Sequence, residues 1–454
     1  MEDNQWRKIK TARSRLGNSI FKRSRAKLQF LDLPEDVLCT ILSELPLKDV
    51  VRSSVLCSKW RSVQKINPKL RFDGMTMCSS NSKYGSEQYT QEFIRNVNAV
   101  LQQHKADFVE HFEVRFGLNR ELAIHLDNGV GFVVASHVKN LVFDLVPAEF
   151  RGRNDRYLLP SELLDTPSTS CLQNVQLGFV SFKLPSQFSG FPNLRKLDLQ
   201  FIDVTAKDLE DMLSSCSSLE WLSVVRCHLD DELKVDLPLP NLLYLRIAHC
   251  TVTGIKFNAM KLKTFDCRGS RYSIDLSQSL ELKDAHLYFF DFITLEYTLS
   301  TLPTVLPSVE SLYLRATAIL KTPMLLENSC EFSKLKYLQL ELYMVHEDAG
   351  NILSLASILK AAPLLENFDL HISVCSFAHF GWEPLRSLPR CPHNHLKNLY
   401  ITGFIACTGQ LEFLLNIVEN ALVLEILTLD PAFRSDKGYN GPATDVFFSR
   451  IKLP

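Results

Sequence analysis

The unit L-x-x-L-x-L returns at near-regular intervals through most of the chain, and no other feature restricts the fold as tightly. Clear copies are Leu194-x-x-Leu197-x-Leu199, Leu219-x-x-Leu222-x-Val224, Leu242-x-x-Leu245-x-Ile247, Val309-x-x-Leu312-x-Leu314 and Leu335-x-x-Leu338-x-Leu340, followed by copies from Leu365, Leu396 and Leu424. Weaker copies begin at Val109, Val138, Leu172, Leu262 and Leu282. From Leu194 to Leu424 the steps run from 20 to 31 residues and average about 26, a period at which one unit cannot bury its own apolar face and must stack on its neighbours. Between the units, helical spacing recurs in Leu209, Met212, Leu213 and Cys216, in Ile352, Leu355, Ile358 and Leu359, and in Leu411, Leu414, Leu415 and Val418. Strand, turn, helix and strand at such a period specify an α/β solenoid whose parallel sheet lines its inner face. The long late steps and the untidy stretch 140–170 make the array irregular over 91–430.

Alternate strand residues face opposite ways, so the third, fifth and seventh positions of each unit leave the leucine core. Those positions hold Trp221, Tyr244, Arg246, Arg268, Tyr288, Tyr313, Arg315, Tyr337, His371 and Tyr400. Aromatic and Arg side chains anchor protein interfaces, although aromatics also favour strands for their own packing. The stripe is expected to bind a protein partner. Asp198, Asp266, Asp284 and Asp369 share the face and make it a mixed surface instead of a nucleic-acid site. Two units run on to Cys227 and Cys250, where a thiol is expected to be a small buried hydrophobe closing the turn.

The chain before the array divides in two. Residues 1–30 carry nine Lys or Arg against Glu2 and Asp3, in a protein of 454 residues with net charge −1. Clusters such as Lys22-Arg23-Ser24-Arg25-Ala26-Lys27 suit a nuclear import receptor or a nucleic acid, and equally a solvated disordered arm; the two early acids oppose a mitochondrial presequence. From Leu31 the character changes. Pro34, Glu35 and Asp36 mark a helix start, and Val37, Leu38, Ile41, Leu42 and Leu45 recur at helical spacing up to Pro46. A second helix is expected from Lys48-Asp49-Val50-Val51-Arg52 and a third through Leu56, Lys59-Trp60-Arg61 and Val63. Three helices in 31–73 cannot hide all these apolar faces within themselves, so a partner surface is expected. Residues 74–90 read as a polar linker and 431–454 as a tail.

Composition of 46% hydrophobic and 22% charged residues is that of a folded protein. No apolar run approaches the roughly 18 residues that span a bilayer, so no membrane partner is expected. Twelve cysteines without a C-x-x-C pair indicate neither a zinc ribbon nor a disulfide framework and fit a reducing compartment, the nucleus or cytoplasm. Gly129-x-Gly131 lacks a third glycine, and no P-loop, H-E-x-x-H or G-x-S-x-G occurs. Cys391, His393 and His395, with His379, are the best metal candidates, but a fourth ligand at a convincing spacing is missing; no metal or cofactor is expected.

Residues 31–72 resemble an F-box, through Leu33-Pro34, Asp36-Val37-Leu38, Ile41-Leu42, Leu45-Pro46, Lys48 to Arg52 and Ser54 to Arg61. The whole resembles plant F-box proteins with leucine-rich repeats, and 391–431 is similar to the FBD region, through His395 to Phe404, Gly409 to Glu412 and Asn420 to Glu425. The resemblance implies a three-helix F-box followed by a leucine-rich-repeat solenoid. It further implies a non-catalytic substrate receptor of a Skp-cullin-F-box ubiquitin ligase. Leu33, Pro34, Leu38, Ile41, Leu42, Leu45 and Pro46 would contact a Skp-family adaptor and so a cullin-RING ligase, while the repeats would hold a protein client. The alternative is a leucine-rich-repeat scaffold or small-molecule sensor outside any ligase.

Overall fold

The computed structural model describes residues 33–434 apart from 46, 54–57, 59–61, 63–64, 80–85, 107, 118–123, 148–155, 161–166, 186–187, 189, 296, 321–330, 345 and 375–384. The basic tail, Pro46, nearly all of the third head helix, His379 and the stretch after 434 lie outside the described residues.

The head opens with α1 (Glu35–Ser43), whose first turn sets Glu35 and Asp36 at the positive end of the helix dipole behind an extended Pro34, and continues in α2 (Leu47–Ser53). Leu38, Leu42, Leu47 and Val50 are buried in one core continuous with that of the repeats. Lys69 Nζ meets Glu44 Oε1 at 2.6 Å across the junction.

Among the described residues fourteen strands form a single parallel sheet in which spatial order equals chain order. They are β1 (Lys69–Asp73), β2 (His111–Arg115), β3 (Asn140–Asp144), β4 (Asn174–Gly178), β5 (Lys196–Gln200), β6 (Trp221–Val225) and β7 (Tyr244–Ala248), then β8 (Thr264–Gly269), β9 (Asp284–Thr294), β10 (Ser311–Ile319), β11 (Tyr337–Met344), β12 (Asn367–Val374), β13 (Asn398–Thr402) and β14 (Ile426–Asp430). Each unit pairs with the next in one register, so equivalent positions form rows: Leu222 faces Leu245, which faces Phe265, which faces Ala285. From β1 to β13 the fourth and sixth positions are no more than 5% exposed, from Leu70 and Phe72 to Leu399 and Ile401. This apolar ladder drives the fold.

The sheet begins earlier than the repeat pattern announces. β1 belongs to it, Asp73 caps a helical turn at Gly74–Met77 by accepting from the Thr76 N–H at 2.8 Å, and Met77 and Cys78 are buried. The described part of 74–90 is therefore tied into the solenoid and is no free linker. Next comes α3 (Glu87–Gln103), capped by Ser86 and burying Tyr89, Phe93, Ile94 and Val97, then α4 (Asp127–Ala135) and α5 (Ala206–Ser214). Return segments at Leu233–Val235, Gly254–Phe257 and Ser273–Asp275 pair as a second, three-stranded parallel sheet. The FBD-like stretch supplies β13, α6 (Thr408–Asn420) and β14.

Each of β4 to β7 is followed by a residue in the left-handed region, Phe179, Phe201, Arg226 and His249, with φ between 53° and 60°. Cys227 and Cys250 stand next in line, and their thiols do more than fill space. Cys227 Sγ donates to the carbonyls of Val225 (3.5 Å) and Leu199 (3.7 Å), and Cys250 Sγ to those of Ala248 (3.5 Å) and Val224 (3.4 Å), so each ties a turn to the preceding rung. Nine described cysteines are free thiols. Burial pushes the Cys267 thiol up to about 12, which keeps it protonated and unreactive.

Candidate functional site

Two surfaces answer to the expected sites. On α1, Leu38 and Leu42 are 1% and 0% exposed and point into the chain's own core. They therefore cannot meet a partner directly. One residue round the helix, Val37 (38% exposed), half-buried Ile41 and Leu45 (42% exposed) follow at intervals of four and make a separate outward stripe, flanked by exposed Pro34 and half-buried Leu33. Periodicity alone could not say which of two adjacent apolar stripes faces in.

On the sheet, all ten expected residues fall in three rows of one face. Trp221, Tyr244 and Tyr337 share the first, Arg246, Tyr313 and Tyr400 the second, Arg268, Tyr288, Arg315 and His371 the third. They are bound to one another and to acids instead of standing free. The Tyr244 ring stacks on Trp221 at 3.6 Å between centroids, with Lys196 Nζ over Trp221 at 5.2 Å. Arg246 is 1% exposed and lies 3.5 Å from Asp266, which also accepts from Arg268 at 2.9 and 3.1 Å. The expectation that Arg246 reads a partner is thus corrected: its guanidinium is a buried counter-charge. His371 is 4% exposed, with Nδ1 at 2.8 Å from Thr402 Oγ1, and Tyr337 donates to Asp369 at 2.6 Å.

The centre of the network is Glu341, fully buried on β11. It accepts from the hydroxyls of Tyr313 (2.6 Å) and Tyr343 (2.8 Å) and pairs with Arg315 Nε at 3.3 Å. The Arg315 guanidinium lies 4.3 Å from the Tyr288 ring centroid and donates to the Tyr343 hydroxyl at 2.7 Å. Burial, then the bond to Glu341, raises both phenols well above their ordinary pKa, so they stay protonated donors. Glu341 sits at a seventh position and was within reach of the pattern, but a search for aromatics and Arg passes over a carboxylate.

The most open aromatic surface among the described residues lies just past this network. A register shift between Tyr288 and Phe292 interrupts the pairing of β9 with β10 and leaves Phe290 and Phe292 54% and 57% exposed. Phe290 stacks on His249 (5.3 Å) and meets Tyr288 edge-on (5.4 Å). A six-residue unit gives no sign of a bulge beyond its end.

At the other end of the sheet, His111 Nε2 binds Glu113 at 2.7 Å, and Arg115 holds the same carboxylate while reaching Asp144 at 3.3 Å. The His111 bond, with Arg115 beside it, brings the Glu113 carboxyl from 4.5 down to about 2. A carboxyl depressed by folding contributes stability that is complete above its ordinary value and is lost as pH falls toward the depressed one. Glu113→Gln is therefore expected to flatten the loss of thermal stability between pH 4.5 and 2, read as Tm against pH.

The metal candidate resolves into loop closure. The His393 ring is 4% exposed, Nε2 donates to the Ala362 carbonyl at 3.0 Å and Nδ1 accepts from the Leu396 N–H at 3.1 Å, so both nitrogens are occupied. Cys391 N–H is bound by Asn420 Oδ1 at 2.7 Å. Among the described residues no helix is long and apolar enough to cross a membrane.

Residues 30–72 match the F-box domain model, and residues 100–445 match the model of the At1g61320/AtMIF1 LRR domain. The chain is 29% identical over 378 residues to the F-box/FBD/LRR-repeat protein At3g52680 of Arabidopsis thaliana, covering 81% of this chain and 77% of that one. It is 31% identical over 286 residues to the Arabidopsis thaliana F-box/LRR-repeat protein At3g26922, covering 60% of this chain and 86% of the relative. With the FBD-associated F-box protein At5g56370 of the same plant it shares 26% identity over 415 residues, 88% and 90% of the two chains. F-boxes in general bind Skp-type adaptors and leucine-rich repeats bind proteins, in a class that is generally non-catalytic. With a helical head of the first kind and a row-by-row apolar ladder of the second, this chain belongs to the plant F-box/FBD/leucine-rich-repeat family of recognition proteins.

Proposed function

We propose that this protein is the substrate receptor of a Skp-cullin-F-box ubiquitin ligase. Its head docks a Skp-type adaptor by Val37, Ile41 and Leu45 with Leu33 and Pro34, and its sheet holds a protein client around Tyr288, Phe290 and Phe292. The observation that carries the reading is the second apolar stripe of α1: the core takes one stripe and leaves the other open, the arrangement a partner helix covers. The chain makes and breaks no bonds in this role. It confines the client next to the ligase's ubiquitin-carrying enzyme and raises their effective concentration.

The test is recovery of a Skp-type adaptor and a cullin with the tagged full chain from plant cells. A client recovered with neither would assign the protein to a scaffold outside any ligase. Phe290→Ser with Phe292→Ser is expected to cut client recovery by about tenfold or more, because two aromatic anchors leave the interface. Adaptor recovery and melting temperature should hold, since exposed side chains contribute little to stability.

We also propose that the protein works in the nucleus, with the basic tail as its import signal. Replacing Lys22, Arg23, Arg25 and Lys27 by Ser is expected to move a fluorescent fusion to the cytoplasm. An unchanged distribution would leave the tail as a solvated arm.

A further inference from the structure

The solenoid ends at β14 in a face unlike any of its interior layers. β14 is the last strand of the sheet among the described residues, and its Leu427 and Leu429, at the fourth and sixth positions of the unit from Leu424, are 40% and 38% exposed where Leu399 and Ile401 of β13 are 1% exposed. Ile426 N–H donates to the Lys397 carbonyl on the β13 side at 3.0 Å, so alternation turns the N–H and C=O groups of Leu427 and Leu429 to the outer edge. α6 continues the same surface. It packs on the helical stretch His346–Ala356 and buries Phe413, Asn416, Ile417 and Asn420, while Leu415 and Val418 on its opposite side, and Leu422 just past its end, are exposed. An open strand edge beside an apolar helix face is a surface that a further layer covers.

Three features select a second copy of this chain as the occupant. The centre of the face carries no charge, since Glu412 of α6 is buried and paired with Arg386 at 2.7 Å and Glu419 only flanks the stripe, so two copies meet there without like-charge repulsion. The edge is also self-complementary. A two-fold axis perpendicular to the sheet at Thr428 lays the two β14 strands antiparallel, and Leu427 of one copy then faces Leu429 of the other, each such pair exchanging both of its outward backbone hydrogen bonds. The four leucines fall on the core side of the joined sheets, between the two α6 helices. Finally, the strand edge and helix face together offer roughly 600 Å² per copy, about 1,200 Å² for the pair, which is the lower end of what stable specific interfaces bury. We propose that the protein forms a two-fold dimer through β14 and α6. The two sheets then run on as one, and the two heads, joined at β1, stand at its far ends.

Sedimentation of the purified full chain over a wide range of concentration tests the pairing. A dimer that dissociates on dilution is expected, and in parallel the Leu427 and Leu429 amides should gain protection from hydrogen exchange as concentration rises, while β12 and β13 amides keep their rates. Leu427→Asp with Leu429→Asp should weaken the dimer by about 100-fold or more, because carboxylates then meet an apolar partner. Val418→Glu with Leu422→Glu should weaken it as much from the helix side, with the strand untouched, so that a fold defect in one variant cannot pass for a lost interface. Three results would overturn the proposal: a monomer at every concentration, a dimer that survives both pairs of substitutions, or protection of Leu427 and Leu429 that does not change with concentration. The last would show that the chain covers its own edge.

Discussion

Val37→Asp with Leu45→Asp is expected to abolish capture of a Skp-type adaptor, lowering affinity by about 100-fold or more, without unfolding the head. Anchors at the centre of an interface cost about 2 kcal/mol or more each when removed, and a carboxylate placed against an apolar partner adds desolvation. Both positions are open in the free chain, so the variant should keep its helicity and melting temperature. Leu38→Ala or Leu42→Ala should do the reverse, costing about 2–5 kcal/mol of stability by leaving a cavity in the core. Leu33→Ala with Ile41→Ala, both half-buried, should show some of each effect. Calorimetry with purified adaptor, alongside thermal melts, separates the classes, and undiminished binding by the folded double aspartate would remove the basis for adaptor docking on this stripe.

Arg315→Ala is expected to destabilise the array by about 3 kcal/mol, the lower end of the range for removing one partner of a buried ion pair. Glu341 is fully buried and Arg315 is the cation beside it. The Tyr313 and Tyr343 hydroxyls still donate in the variant but bring no charge. Adding Glu341→Gln to Arg315→Ala should recover part of the loss, since no charge is then left stranded, and a coupling of opposite sign in a double-mutant cycle would show that Arg315 acts by packing on Tyr288 instead. Denaturant unfolding at two salt concentrations adds a check, because a buried pair is screened far less than a surface one.

The repeat was legible where each unit began with an apolar residue, and even the weak copies from Val109, Val138, Leu172, Leu262 and Leu282 proved buried. The first unit escaped because Asn67 stands where a leucine is expected. Asn67 is 1% exposed and holds its place by polar bonds, its side chain accepting from the Lys69 N–H at 3.0 Å and its carbonyl meeting His104 Nε2 at 3.0 Å. A hydrophobic pattern is blind to a buried residue satisfied in that way. The inner face was legible as positions but not as chemistry. Alternation put Arg246 and His371 on the correct side of the sheet, while their burial follows from Asp266 and Thr402 on neighbouring strands, distant in sequence and set beside them by register. Likewise the sequence holds Tyr288, Phe290 and Phe292 in plain alternation, yet their openness depends on a register shift against β10 that no local rule encodes.

The equality of spatial and chain order in the large sheet bears on how the protein is made. A ribosome delivers the strands one after another, and each emerges to find its pairing edge already laid down by the strand before it. No strand has to wait for a distant partner, so assembly can advance as accretion at a moving edge, with the head and its junction through Lys69 and Glu44 completed first. Translation that stopped early would leave a shorter array whose finished rungs are native and whose last rung alone is unsatisfied.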